Sequence, residues 1–237
     1  MTRFQRILAR AEARKGGPEA LAKLLPPTPD PAALRSRPDA AFLAEMTRRV
    51  FCAGFVWKVI DQKWPGFEAA FEGFDPDRLV FAPDAYWDGL TRDPRIVRNG
   101  AKIFSVRTNA DLVRRISADH GGFGAFLADW PSSDEIGLLD VLARRGSRLG
   151  GATGQLFLRF AGWDGFVLSA DVAACLIDAG LDIRPNAVSK SDLRKVQSLF
   201  NAFAEESGLC YTHISRICAL SVGENRSAPH GEGDLDV

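Results

Sequence analysis

Between Asp39 and Phe74 the apolar residues Phe42, Met46, Val50, Ala53, Trp57 and Ile60 return every three to four positions, the spacing that lines one face of an α-helix. That stripe fixes the local structure of a long stretch, and no other stretch shows the strict alternation of a half-buried strand. A helix is therefore expected from Asp39 to about Phe74, with Asp39 as its N-cap after Pro38. The segments APDAYWDGL, TRDPRIVRNGAKIFSVRTNADLVRRI, GGFGAFLADW, SSDEIGLLDVLARRG, GGATGQLFLRFAGW, SADVAACLIDAGL, SKSDLRKVQSLFNAFAEESG and CYTHISRICALSVG read as further helices joined by brief polar links. The expected class is all-α.

With 237 residues, 46% of them hydrophobic, the chain can bury a substantial core. Thirty basic and thirty acidic side chains cancel, so no whole-protein field draws it to nucleic acid or membrane, and a polyanion site would have to be a local patch. Four irregularly spaced cysteines and the lack of an apolar leader suit a reducing compartment, and a cytoplasmic location is expected. No apolar run is long enough to span a bilayer. In the helix read at residues 3 to 15, Arg3, Arg6, Arg10 and Arg14 form one stripe beside Phe4, Ile7, Leu8 and Ala11. It reads as a solvated helix or as a basic strip for phosphate. Residues 1–38 are expected to form this helix and a proline-rich linker, 39–223 the main domain, and 224–237 a polar disordered tail.

Two features carry possible chemistry. In ARRGSRLGGATG, Gly146, Gly150 and Gly151 permit positive φ and close backbone approach, the helix expected to begin near Ala152 would offer free amides to a phosphate, and Arg144, Arg145 and Arg148 add charge. The same residues also suit a plain interhelical turn. The stretch from Leu90 to Ala110 sets Arg95, Arg98, Lys102 and Arg107 among Ile96, Val97, Ile103 and Val106. Those cations read as helix caps and partners of buried carboxylates, or as long side chains that cover apolar surface and carry their charge to phosphate.

FCAGFVWKVIDQKWPGFEAAFEGFDPDRL, together with Asp93, Ile96, Arg98, Asn99, Lys102, Ile103, Asn109 and Ala110, resembles the DNA-3-methyladenine glycosylase I family across residues 51 to 110. The likeness continues weakly through LLDVLARRGSRLGGATGQLF, where that family carries its helix-hairpin-helix. The resemblance implies an all-helical helix-hairpin-helix fold that flips a damaged base from duplex DNA and cuts its N-glycosidic bond, with double-stranded DNA as partner, a monomeric state and no cofactor. Arg145, Gly146, Arg148, Gly150, Gly151 and Thr153 would then form the phosphate-binding hairpin. Thr153 stands where bifunctional relatives place a nucleophilic lysine, so no lyase step is expected.

In the wider superfamily a catalytic aspartate follows the hairpin at a set distance, and counting twenty residues from Gly151 reaches Asp171. The closest family lacks that aspartate. Asp171 would stabilise the oxocarbenium-like sugar and orient water, or it is simply a helix N-terminal acid. Trp57 matches the family's pocket tryptophan, or is a core residue of the stripe. Phe55 falls near the duplex wedge, and Cys52 beside the pocket. Arg49 stands where the family has the glutamate that reads the base; a guanidinium only donates, so the base edge preferred here must differ or Arg49 must point elsewhere. Glu45, one turn earlier, pairs with Arg49 structurally or brings a carboxylate to the pocket. The first fifty residues hold neither Cys nor His, which excludes the family's terminal zinc site. Cys210, His213 and Cys218 match no common zinc pattern, and no metal is expected. A catalytically silent scaffold that binds distorted DNA is the alternative.

Overall fold

Helical stripes punctuated by Asp-Pro, Gly and Asn yield an all-helical chain with no strand among the described residues, as the sequence leads one to expect. The computed structural model describes residues 1–186 and 189–223; the tail expectation at 224–237 lies outside them. In chain order the helices are α1 (Arg3–Lys15), α2 (Pro18–Ala22), α3 (Pro31–Ser36), α4 (Asp39–Cys52), α5 (Trp57–Ala70), α6 (Pro76–Phe81) and α7 (Asp84–Leu90). They continue as α8 (Gly100–His120), α9 (Phe123–Asp129), α10 (Glu135–Arg145), α11 (Gly151–Ala161), α12 (Ala170–Asp178), α13 (Lys190–Ser207) and α14 (Tyr211–Leu220). Two compact units interleave along the chain. One comprises Met1–Pro29, Pro131–Ile136 and the chain from Asp164 onward, the other Asp30–Trp130 and Gly137–Trp163.

In the first unit, α1 starts with a reciprocal cap: Gln5 N donates to Thr2 Oγ1 at 3.2 Å and Thr2 N to the Gln5 side chain at 3.0 Å. Its apolar stripe, Phe4, Ile7 and Ala11, is buried in one core with Val172, Cys175, Leu176, Val196, Phe200, Phe203, Ile214 and Ile217. The Phe4 and Phe203 rings lie 5.2 Å apart. Arg10 pairs with Asp178 and donates to Ser221 Oγ at 3.3 Å. The N-terminal helix thus packs with the C-terminal helices. The buried carboxylate of Glu135, the first residue of α10, accepts from Phe166 N at 2.7 Å within this unit.

The second unit is built on α4, which packs against α8, α9 and α11 through Phe42, Leu43, Met46, Val50 and Phe51. Three expectations need correction here. The helix from Asp39 does not run on to Phe74: it stops at Cys52, Gly54 takes a φ of +75°, and α5 starts afresh at Trp57. Asp39 is not the cap of its own helix, for Pro38 precedes it and the Asp39 carboxylate accepts from Phe123 N at 3.0 Å, at the start of α9. Residues 91–99 are not helical; α8 begins at Gly100, where Asn99 caps it by accepting from Lys102 N at 3.2 Å. Arg98 and Asn99 therefore precede the helix they were expected to occupy. Helix α3, which the proline-rich reading of residues 1–38 passes over, begins with Asp30 accepting from Ala32 N at 2.9 Å and with Pro31 at its first position.

Candidate functional site

The last two turns of α4 carry Glu45, Arg49 and Cys52, and the first residue of α5 is Trp57. The i, i+4 spacing places Glu45 beside Arg49, with Arg49 Nε 2.6 Å from Glu45 Oε1. Both are withdrawn from water, the side chains being 5% and 12% exposed for Arg49 and Glu45. The guanidinium carbon lies 4.0 Å from the centre of the Phe160 ring and 4.8 Å from that of Trp57. Those rings, 6.0 Å apart and inclined at 62°, make an aromatic corner that the cation occupies. Such contacts contribute about 0.5–2 kcal/mol each. Trp57 and Phe160 themselves are only partly buried.

Arg49 Nε and Glu45 Oε1 satisfy each other as a close ion pair, while Arg49 Nη1 is a buried nitrogen without a hydrogen-bond partner. Burial raises the Glu45 carboxyl above its ordinary value, and the nearby Arg49, Arg48 and Arg37 oppose that rise. Cys52 lies at the same end of α4, its thiol pushed up to about 11 mainly by burial. Arg48, on the neighbouring face, lies 4.1 Å from the Trp64 ring centre and 3.9 Å from Asp61, fixing α5 against α4.

Beyond α4 the chain exposes Phe55, Val56 and Val59. Lys102 Nζ stands 4.5 Å from the Phe55 ring centre and donates to the carbonyls of Phe51 at 3.2 Å and Ala53 at 2.5 Å. The ammonium thereby caps the C-terminal end of α4, where free carbonyls favour a cation. Burial, and next the charge of Arg148, lower its pKa. Of the other cations in this stretch, Arg95 pairs with Asp93 at 2.7 Å and Arg107 with Asp84 at 2.8 Å. Their scaffold reading fits these contacts.

The glycine hairpin joins α10 to α11. Buried Asn109 of α8 holds its loop on both sides: Ser147 N donates to Asn109 Oδ1 at 2.8 Å and Asn109 Nδ2 donates to Ser147 O at 3.1 Å. The glycines act less through positive φ than expected. Only Gly151 (φ +57°) and, unforeseen, Arg148 (φ +61°) adopt it, whereas Gly150 is extended at φ −87°. Gly146 is needed for space, since a Cβ there would lie 2.7 Å from Leu142 O. Gly150 caps α11 with no side chain, so the first-turn amides have no side-chain acceptor. Arg145, Arg148, Gly150 and Gly151 are exposed and Thr153 is half-buried, while Arg144 pairs with Asp140 at 2.7 Å.

The structure thus brings Glu45, Arg49, Cys52 and Trp57 together, and groups the hairpin residues around one loop. Asp171 belongs to the other unit. It is exposed in the first turn of α12, where Ser169 supplies the cap by accepting from Val172 N at 3.3 Å. Sequence reasoning missed Phe160, Asn109 as the clamp of the hairpin, and the exposed Val56. His213, considered beside Cys210 and Cys218, contacts Pro26 O at 2.8 Å. No described helix is long and apolar enough to cross a membrane.

Among solved structures the chain is similar to 3-methyladenine DNA glycosylase I from Staphylococcus aureus, described with the basis of its 3-methyladenine recognition (24% identity, 53% of this chain and 77% of that one, TM-score 0.47). A mutant of glycosylase I from that organism shows 23% identity, 64% and 85% coverage and a TM-score of 0.48. No curated protein is significantly similar in sequence. The family model described as methyladenine glycosylase matches residues 35–137. That stretch, which holds Glu45, Arg49, Cys52, Phe55 and Trp57, is the part of the chain similar to the methyladenine glycosylase family.

Proposed function

We propose that the protein is a monofunctional DNA N-glycosylase that releases a damaged purine from duplex DNA. The observation that carries this reading is the aromatic corner of Trp57 and Phe160 with the buried Glu45–Arg49 pair set in it, its α4 and α5 members lying in the family-matched segment. Aromatic faces hold an extrahelical base by stacking, and buried polar groups read its edge. The exposed Phe55 and Val56 suit a wedge that fills the vacated stack. The α11 amides with Arg145 and Arg148 suit the phosphates beside the lesion.

In the reaction, water adds to C1′ as the C1′–N9 bond breaks. The bonding pair leaves with the base and hydroxyl stays on the sugar; the proton from water goes to the departing base when the nucleoside was neutral, and to solvent when it was an alkylated cation that leaves as a neutral base. Asp171 is the carboxylate assigned to stabilise the sugar cation and orient the water. The test is base release, read by mass spectrometry, from methylated and from deaminated DNA. Wild type should release a purine, and Asp171→Asn should bind duplex while releasing none. A fully active Asp171→Asn protein would remove that residue from the mechanism.

One observation favours a second reading. The Arg49 side chain itself fills the aromatic corner, as it would in a scaffold that binds distorted DNA without cutting it. Duplex binding with no base released from any lesion would establish that alternative.

A further inference from the structure

Resting on the glycosylase reading above, we infer that the Glu45–Arg49 pair selects a neutral 6-oxopurine carrying a hydrogen on N1, of which hypoxanthine is the simplest. Its basis is a buried donor beside a buried carboxylate. Arg49 Nη1 is a buried donor without a hydrogen-bond partner, and beside it the buried carboxylate of Glu45, held by Arg49 Nε at 2.6 Å, keeps further acceptor capacity. Buried groups of this kind are costly unless something completes them. A 6-oxopurine presents the complementary sequence along one edge: acceptors at N7 and O6, then a donor at N1. A guanidinium fork suits O6 and N7, and an adjacent carboxylate suits N1–H. Adenine presents the reverse order, an amino donor at C6 followed by an acceptor at N1, and meets donor with donor.

Charge gives the same answer. Purine nucleosides alkylated at N3 or N7 are cations that leave as neutral bases. Leaving already neutral, they gain nothing from a guanidinium donor at the departing base. A neutral oxopurine instead leaves with the C1′–N9 bonding pair on its ring, and the growing negative charge on O6 and N7 is met by Arg49. The attacking water then supplies hydroxyl to C1′ and a proton to the departing base. Ordinary guanine shares the oxo edge, but hypoxanthine left opposite thymine is mispaired and costs less to extract than a base in a sound pair.

The experiment measures kcat/KM on duplexes containing hypoxanthine opposite thymine and on duplexes containing 3-methyladenine, for wild type, Arg49→Lys and Glu45→Gln. Wild type should prefer hypoxanthine, and Arg49→Lys, which keeps the charge but loses the fork, should shrink that preference by about 10- to 100-fold. A merely structural role for the pair would lower both rates together and leave the ratio unchanged; that result overturns the inference, as does a wild-type preference for 3-methyladenine. Both of those outcomes leave the glycosylase reading standing, whereas no release from any duplex overturns that reading itself and the inference with it. Should the variants fail to fold, quenching of wild-type tryptophan fluorescence by free hypoxanthine against free 3-methyladenine decides the same question: tighter hypoxanthine binding supports the inference, and the reverse order refutes it.

Discussion

Gly154 and Gly89 both lie inside helices, yet replacing each by alanine should change stability in opposite directions. In an exposed helical position alanine is favoured over glycine by up to about 1 kcal/mol. Gly89 in α7 is such a position, with nothing within 4 Å of where its Cβ would lie. At Gly154, in α11, a Cβ would stand 2.4 Å from Leu149 O and 2.9 Å from Leu139 Cδ2. The leucine side chain can yield, but the carbonyl belongs to the hairpin backbone. Restoring ordinary contact near 3.4 Å means moving a loop whose Ser147 is bound twice by Asn109. Overpacking costs about 1–3 kcal/mol and each weakened hydrogen bond about 1 kcal/mol. After the helical gain is subtracted, Gly154→Ala should destabilise the protein by about 2 kcal/mol. Urea unfolding followed by circular dichroism should show its midpoint lowered by roughly 0.5–1 M with little change in slope, and the midpoint of Gly89→Ala unchanged or raised. A Gly154→Ala protein as stable as wild type would refute the claim that the hairpin backbone is fixed against this glycine.

Asn109→Leu keeps similar volume but strands both backbone groups of Ser147, and should cost about 1–3 kcal/mol, with faster amide exchange at Ser147 as its local sign. If the hairpin grips phosphate, Arg145→Ser and Arg148→Ser should each reduce the slope of log K against log salt for duplex binding by about one; unaltered slopes would place the duplex elsewhere. Cys52 has a folded pKa of about 11, above its unfolded value near ~8.5, so its contribution is complete below the unfolded pKa and is lost as pH rises through the folded one. Stability should fall between about pH 9 and 11 by up to about 2 kcal/mol, and Cys52→Ser should flatten that limb. Replacing Glu45 or Arg49 alone by Met should cost about 3–5 kcal/mol, because the other charge stays buried, whereas the double replacement should return to within about 1 kcal/mol of wild type.

How much of the fold was legible depended on whether local signals competed. The stripe Phe42, Met46 and Val50 read correctly because helical spacing, burial and the α4 backbone agree. It misled beyond Cys52, since Ala53 and Trp57 continue the spacing through a loop whose one local sign is Gly54. Ile96 and Val97 likewise extended an apolar pattern past Pro94, although Asn99 is a good N-cap type and marks the true start of α8. Asp30-Pro31 is a helix-start signal hidden among other prolines. The stripe Phe4, Ile7 and Ala11 indicated which face of α1 is buried. It could not say that the covering residues lie on α13 and α14, because periodicity identifies a face and carries no information about its partner.

The same distinction explains the site. Glu45 and Arg49 at i, i+4 could be paired from spacing alone, and on a water-exposed face such a pair would contribute only about 0.2–0.5 kcal/mol. What gives the pair its meaning is the wall around it, and Phe160 could not be foreseen as part of that wall. It ends the apolar run LFLRF, where an aromatic reads like any core residue, and it reaches Arg49 because α11 packs across α4. Once buried, the pair is more than a surface tether: its desolvation is offset by the short ion pair and the two ring contacts, so that it stabilises the fold little in net while either charge alone would be costly. If the proposed function holds, Arg49 in this wall would mark a change in which base edge is read rather than the loss of a pocket.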